Sequence, residues 1–396
     1  MATPAPRIPG RRFLHSPGPT PLPDAVLQAM AVQPMDLGDP RVDANIAACE
    51  QGLQRLLQTQ ADVFFYAANG HGAWEAVACN LAAPGQAVLV PGSGHFSASW
   101  AEQTEGLGIR ALPTPWREGR PIDADAVEQA LREDRGHAIQ AVFAVHTDTA
   151  SGCTSDLAAI RRAIDAARHP ALLVADVVAS LAAAPFAMDA LGVDVALGAS
   201  QKGLMCPPGL CFTAVNARAF AQAQRNPAPR YYWDWVRRRG ELSYRKFCGT
   251  PPQNLMFGLE AAIGLIEREG LAEVQARHAR LARAVWAAVE GWREGGALDF
   301  LTPEAACRAV SVTTITVPPG LDVEALRTTA RERFQVAMAG GLGPQTGRAF
   351  RIGHLGDCNP AMLLGAIAGI EAALQVHGVP LGAGGTRRAV QALAAG

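Results

Sequence analysis

The sequence predicts an α/β fold, a large domain on a mostly parallel, multi-stranded sheet followed by a smaller α+β domain. Three observations carry this. Short, continuous apolar runs alternate with helix-period stretches, as in repeated βαβ units. One of those runs ends in Asp176, and another runs through Gly198-Ala199-Ser200-Gln201 into Lys202. After Pro252 the period changes to long helical patterns and then to strict alternation.

Taken in order, strands are expected at 62–66, 87–90, 141–145, 171–175, 193–197 and 210–214, with helices at 73–81, 124–132 and 157–167. The runs at 171–175 and 193–197 lack polar alternation, so both faces of those strands should be covered, as in a parallel sheet. Beyond Pro252, helices are expected at 255–269 and 271–292, and the alternating stretch 309–317 reads as a half-exposed strand. This divides the chain into an N-terminal segment (1–20), a large domain (21–252) and a small C-terminal domain (253–396). The Gly/Ala-rich stretch from Leu381 is expected to be a surface terminus.

At 396 residues the chain exceeds what one core usually holds, and its net charge of −1 offers no attraction for nucleic acid or an anionic membrane. Small-molecule chemistry is favoured. No window approaches the ~18 apolar residues that a membrane span needs, and residues 1–12 are rich in Pro and Arg without an apolar core, so a cytoplasmic protein is expected. The eight cysteines show no CxxC pair and no His-rich cluster, so neither a metal nor a disulfide framework is expected.

Lys202 lies in Ala199-Ser200-Gln201-Lys202-Gly203-Leu204-Met205, and Asp176 closes the run Ala171-Leu172-Leu173-Val174-Ala175. A lysine between Ser and Gly neighbours is most often a solvated loop residue. Placement at the carboxyl ends of buried strands, where open α/β sheets bind ligands, outweighs that reading. A turn lysine with an aspartate from a nearby strand end is what pyridoxal phosphate chemistry requires. The amine forms a Schiff base, and the carboxylate keeps the pyridine nitrogen protonated so that the ring can accept carbanion electrons. Ala68-Asn69-Gly70-His71-Gly72, between a strand and a helix, adds a turn where backbone amides and a helix N-terminus can meet a phosphate.

With these segments on the page, the chain resembles the class V, fold type I pyridoxal phosphate aminotransferases of the serine–glyoxylate and alanine–glyoxylate group, from about residue 13 to 382. Ser16-Pro17-Gly18-Pro19-Thr20, Asn69-Gly70-His71-Gly72, the stretch from His146 to Gly152, Ala175-Asp176-Val177-Val178-Ala179-Ser180, the Lys202 turn and Phe350-Arg351-Ile352-Gly353-His354 carry the resemblance. It implies a seven-stranded, mostly parallel large-domain sheet and pyridoxal 5'-phosphate as cofactor. It also implies ping-pong transfer of an amino group from a serine- or alanine-class donor to a 2-oxo acid such as glyoxylate or pyruvate. Lys202 would carry the cofactor and shuttle the proton, and Asp176 would hold the pyridinium nitrogen. Asn69, Gly70, His71 and Gln201 would bind the phosphate, with Thr250 reaching in from the other subunit of a homodimer. Phe96 would stack on the ring, Val178 would cover its other face, and Thr149 would bond the phenolic oxygen. Arg351 would clamp the substrate carboxylate, where a planar two-donor fork suits a carboxylate better than lysine does, and Gly18 would contact substrate.

Two departures stand out. Near the N-terminus the chain reads Met35-Asp36-Leu37-Gly38-Asp39-Pro40, without the aromatic or imidazole ring and the arginine that many serine–glyoxylate enzymes carry there, which leaves donor choice open. Phe247 stands where some relatives place a phosphate-binding Tyr. Three alternatives remain open at this point: a pyridoxamine–pyruvate type of reaction, a lyase or desulfurase on the same scaffold with Cys358 as the nearby thiol, and an α/β binding protein without catalysis.

Overall fold

The structure, a computed structural model, describes residues 10–395, so residues 1–9 of the N-terminal segment, with most of the Pro/Arg-rich stretch, lie outside it. Its strands are β1 (Phe13–His15), β2 (Asp62–Tyr66), β3 (Ala87–Val90), β4 (Arg110–Pro113), β5 (Ile139–Val145), β6 (Thr147–Asp148), β7 (Cys153–Thr154), β8 (Leu172–Asp176), β9 (Val195–Ala199), β10 (Cys211–Val215), β11 (Asp299–Phe300), β12 (Val312–Thr316), β13 (Val336–Gly340) and β14 (Ala349–Gly353).

Seven strands form one sheet in the order β2-β10-β9-β8-β5-β3-β4, parallel except for β10, which runs antiparallel to both of its neighbours. Alternate residues feed two separate cores: Leu173 and Ala175 of β8 join one, Leu172 and Val174 the other. That division explains the unbroken apolar runs, because each face of the sheet is covered by helices. β2, β5, β8 and β9 all point their carboxyl ends to the same edge, where the chain leaves toward Asn69, Thr147, Val177 and Ser200.

A second sheet, β1-β13-β14-β12-β11, packs on a third core with the helices Leu271–Arg293, Val323–Arg333 and Pro360–Val376. The N-terminal segment belongs to it: Phe13, Leu14 and His15 pair in parallel with Val336, Ala337 and Met338. The helix Gln253–Glu269, which follows the change of period at Pro252, still buries Met256, Leu259 and Ile263 in the large-sheet core. The change of core comes within Leu271–Arg293, between Val274 and Leu281.

Two expectations need correcting. The stretch 309–317 is not half exposed, because β12 is buried through Ile315. Its polar residues are threonines whose hydroxyls are satisfied inside, Thr313 Oγ1 with His354 Nε2 at 3.0 Å and Thr314 Oγ1 donating to Ala150 O at 3.0 Å. The stretch from Leu381 contains a docked helix, Gly385–Ala395, rather than only a surface tail. Glu371 Oε2 accepts from Trp292 Nε1 at 2.9 Å and from Thr386 N and Oγ1 at 2.7 Å each. Ala389 is fully buried, and a Cβ on Gly291 would lie 2.9 Å from Gly385 Cα, so the small residues are what permit the close approach. Among the described residues no helix is long and apolar enough to cross a membrane.

Candidate active site

A cavity of about 230 Å³ opens at the carboxyl edge of the large sheet. Asn69, Gly70, His71, Phe96, Thr149, Asp176, Val178, Gln201 and Lys202 all line it, together with Trp74, Val145, Thr147 and Ala179. A larger cavity of about 300 Å³ lies beside Glu50 and Arg239, but none of the expected residues is there. Its charges are also spent on one another, Lys246 with Glu50 at 2.6 Å and Arg239 with Asp62 at 3.3 Å.

Lys202 sits on a tight turn after β9. Ser200 N donates to Leu210 O at 3.0 Å, and Cys206 N donates to Ser200 O at 3.0 Å. Gly203 is required here because a Cβ would lie 2.2 Å from Leu181 O. The lysine Nζ donates to Pro17 O. Thr20 braces the turn through its N–H to Gln201 O (3.2 Å) and its Oγ1 to Lys202 O (3.1 Å). Gly18 has φ +112°, and a Cβ there would lie 2.4 Å from Lys202 Cδ, so only glycine lets this strap cross the lysine. Burial pulls the Lys202 amine down to about 8, helped by the positive charge of Arg351 and opposed by Asp176.

Asp176 ends β8 at the other side of the cavity. Its Oδ1 accepts from Val178 N at 2.8 Å and its Oδ2 from Trp74 Nε1 at 2.7 Å. Burial pushes the carboxyl up to about 6; the Val178 and Trp74 donors pull it back, and the Asp148 charge pushes it further up.

The helix Gly70–Leu81 points its N-terminus into the cavity and is capped by Asn69, whose Oδ1 accepts from His71 N at 3.1 Å. A Cβ on Gly70 would crowd Val178 Cγ2 at 3.3 Å, so glycine keeps that end open. Gln201 Oε1 is buried without a partner among the described residues; the side-chain amide is thus not committed through its oxygen, and it is Nε2 that would donate to a phosphate. Burial lowers the His71 imidazole, with His95 adding to the shift. An open helix N-terminus, an unspent amide, a buried acid and an amine on one cavity fit pyridoxal phosphate.

Phe96 is set by Asp148. The fully buried Asp148 carboxylate accepts from Phe96 N at 2.9 Å through Oδ2, and from Ala150 N at 2.8 Å and Ser151 N at 3.3 Å through Oδ1. Gly94, at φ +149°, makes room for it, since a Cβ would lie 2.6 Å from Asp148 Oδ2.

Three expected residues do not line the cavity. Arg351 is buried on β14; its Nε donates to Gly340 O at 2.7 Å and its Nη1 to Thr149 O at 3.0 Å. Burial lowers its guanidinium to about 10, Asp148 opposing, and among the described residues it has no carboxylate within ion-pair distance. Gly18 touches the lysine rather than the cavity wall. Thr250 is exposed, beyond the helix Ser243–Phe247. Phe247 is buried in this chain's own core, its ring stacked on Phe65 at 6.0 Å. Leu37 and Gly38 lie outside the cavity, on a turn held by Gln253, which bonds both Met35 N (2.7 Å) and Met35 O (2.8 Å). Cys358 is buried, does not line the cavity, and its thiol is pushed up to about 12 by burial, the opposite of what a desulfurase nucleophile needs.

Sequence reasoning missed Trp74 and Asp148. Trp74 follows Gly70 by four residues and so shares its helix face. Asp148-Thr149-Ala150 carries the Asx-turn composition that signals a side chain turned back on its own backbone.

The aminotransferase class-V family model matches residues 12–348. The chain is 39% identical over 378 residues to the L-aspartate–glyoxylate aminotransferase of Paracoccus denitrificans, covering 95% of this chain and 94% of that protein. It is 38% identical over 381 residues to the serine–glyoxylate aminotransferase of Methylorubrum extorquens, with coverage of 95% and 94%. Among solved structures, the pyridoxamine–pyruvate aminotransferase of Mesorhizobium loti aligns with a TM-score of 0.88 at 26% identity, over 98% of each chain.

Proposed function

The chain belongs to the class-V aminotransferases and is a pyridoxal phosphate-dependent transaminase, and from that premise we propose that it moves the amino group of a small amino acid to glyoxylate or a similar short 2-oxo acid. The observation that carries this reading is the meeting of Lys202 and Asp176 across one cavity, with the unpaired guanidinium of Arg351 behind it. Relatives named for serine, aspartate and glyoxylate support the substrate class. The open N-terminus at Gly70 favours a phosphorylated cofactor and so speaks against a pyridoxamine-type reaction.

When bound, pyridoxal phosphate would supply the electron sink and the carbonyl carbon on which oxygen is exchanged for the transferred amino group. The chain supplies the rest. Gly70, His71, Asn69 and Gln201 would hold the phosphate end, and Phe96 and Val178 would flank the ring. Asp176 would accept a hydrogen bond from the ring N–H, and Thr149 would donate to the phenolic oxygen. Lys202, with its amine drawn down to about 8, gives up its proton more readily than an ordinary lysine, and once neutral it can take up the substrate α-proton at Nζ. Arg351 binds the substrate carboxylate through the edge of its fork left free by Gly340 and Thr149.

The reading includes a homodimer. Tyr231, Leu242 and Tyr244 are large exposed side chains on the segment that leads to Thr250, which a second copy would cover while bringing Thr250 to the other cavity. Eight free cysteines support a cytoplasmic setting. The test is turnover of serine, alanine and aspartate with glyoxylate or pyruvate. Glycine formed from glyoxylate with one of these donors is the expected result, and no 2-oxo product from any pair would refute the substrate class.

A further inference from the structure

Trp74 lies one turn beyond Gly70 on the helix Gly70–Leu81. At a rise of ~1.5 Å per residue, one rigid helix therefore sets a spacing of roughly 6 Å between its anion-facing end and this indole. The side chain is 2% exposed, and its plane is fixed from behind: it stacks on Trp100 at 5.4 Å, which stacks on Phe143 of β5 at 4.6 Å. Its Nε1 donates to Asp176 Oδ2 at 2.7 Å. Val178 N is the other donor, at 2.8 Å to Oδ1. The ionisable groups whose charges reach this carboxylate are Asp148, beyond β5, and Lys202, after β9.

An indole N–H only donates and does not titrate. It cannot neutralise the acid by giving up its proton, and it cannot turn round to accept. Resting on the role of Asp176 given above, we propose that Trp74 is a positioning residue for transamination, its N–H holding the Asp176 carboxylate in the orientation and ionised form that a pyridine N–H requires. Burial already pushes Asp176 up to about 6, and Trp74 is one of two hydrogen-bond donors that hold it down. Removing it moves the acid toward its neutral form.

The test uses Trp74→Phe, which keeps an aromatic ring in the stack and removes the N–H, in the wild-type and Asp176→Asn backgrounds. Equilibrium dialysis measures pyridoxal phosphate affinity, and kcat/KM is followed against pH. In the wild-type background the expected result is about tenfold weaker cofactor binding and an acid limb displaced upward by about one pH unit, the size of one lost hydrogen bond to a charged group. In the Asp176→Asn background the affinity loss should vanish. An unmoved acid limb with unchanged affinity, or an equal affinity loss in both backgrounds, overturns the proposal while leaving the transaminase reading intact. If Trp74→Phe does not fold, replacement of Trp74 by β-(3-benzothienyl)alanine, a bicycle of the same shape without the N–H, gives the same comparison. A wild-type chain that binds no pyridoxal phosphate overturns both.

Discussion

The cofactor half and the substrate half of this cleft are built differently. Every cofactor residue except Thr250 comes from the carboxyl edge of one sheet and lines one cavity within a single chain. By our reading the substrate half is assembled from distant pieces, Arg351 from β14 of the second sheet and Gly18 from the strap after β1. The first half rests on one rigid scaffold, to which by our reading a second chain adds Thr250, whereas the second half depends on how the two sheets sit together. By our reading, the first sets reaction type and the second substrate choice.

The sharpest way to break this comparison is Lys202→Ala, which should lower turnover by about 10⁴-fold or more while leaving the fold intact. Comparable turnover, measured as 2-oxo acid formed, would move the chemistry elsewhere. Asp176→Asn comes next, at roughly 10²-fold in kcat/KM, because it removes one partner of a buried charge pair. Both belong to the cofactor half. Arg351→Lys should instead cost about 10–100-fold in donor kcat/KM with cofactor affinity unchanged; a parallel loss of cofactor affinity would merge the two halves. Thr250→Val should weaken pyridoxal phosphate binding by about tenfold, one charge-assisted hydrogen bond, and no change would remove the partner's contribution.

The smallest effect is on stability. Folded Lys202 titrates near 8, below its ordinary 10.5, so its contribution is present above that ordinary value and lost as pH falls through about 8. At pH 7 the charged amine is therefore a cost to the cofactor-free protein. Lys202→Met should melt at a higher temperature than the wild type without cofactor, with the gap closing above about pH 10. A lower melting temperature at pH 7 would mean that the bond to Pro17 O outweighs desolvation.

The same divide governs what the sequence revealed. β5, β8 and β9 are buried on both faces, so their uninterrupted apolar runs were readable, and Asp176 and Lys202 follow at their ends. β1 has three residues and finds its partner, β13, more than three hundred positions away, so no local pattern announces it. Ala/Gly composition made the last helix resemble a tail, although the same small residues let it dock against Trp292. Trp74 and Asp176 are 102 residues apart, and only the folded sheet brings the indole N–H to the acid. The phosphate turn at Asn69, Gly70 and His71 was readable as a Gly-rich strand-to-helix junction, whereas the roles expected for Phe96, Thr149, Val178 and Gln201 came through family resemblance, and their common cavity is what gives those roles physical support.

The central claim is that Lys202 and Asp176 form a working pyridoxal phosphate site. A visible-absorbance titration of the purified protein with pyridoxal phosphate, run beside Lys202→Ala and followed by addition of an amino donor, tests it most directly. A saturable band that depends on Lys202 and is discharged by a small amino acid is the predicted result. No band in the wild type, or an identical band in Lys202→Ala, would contradict the account.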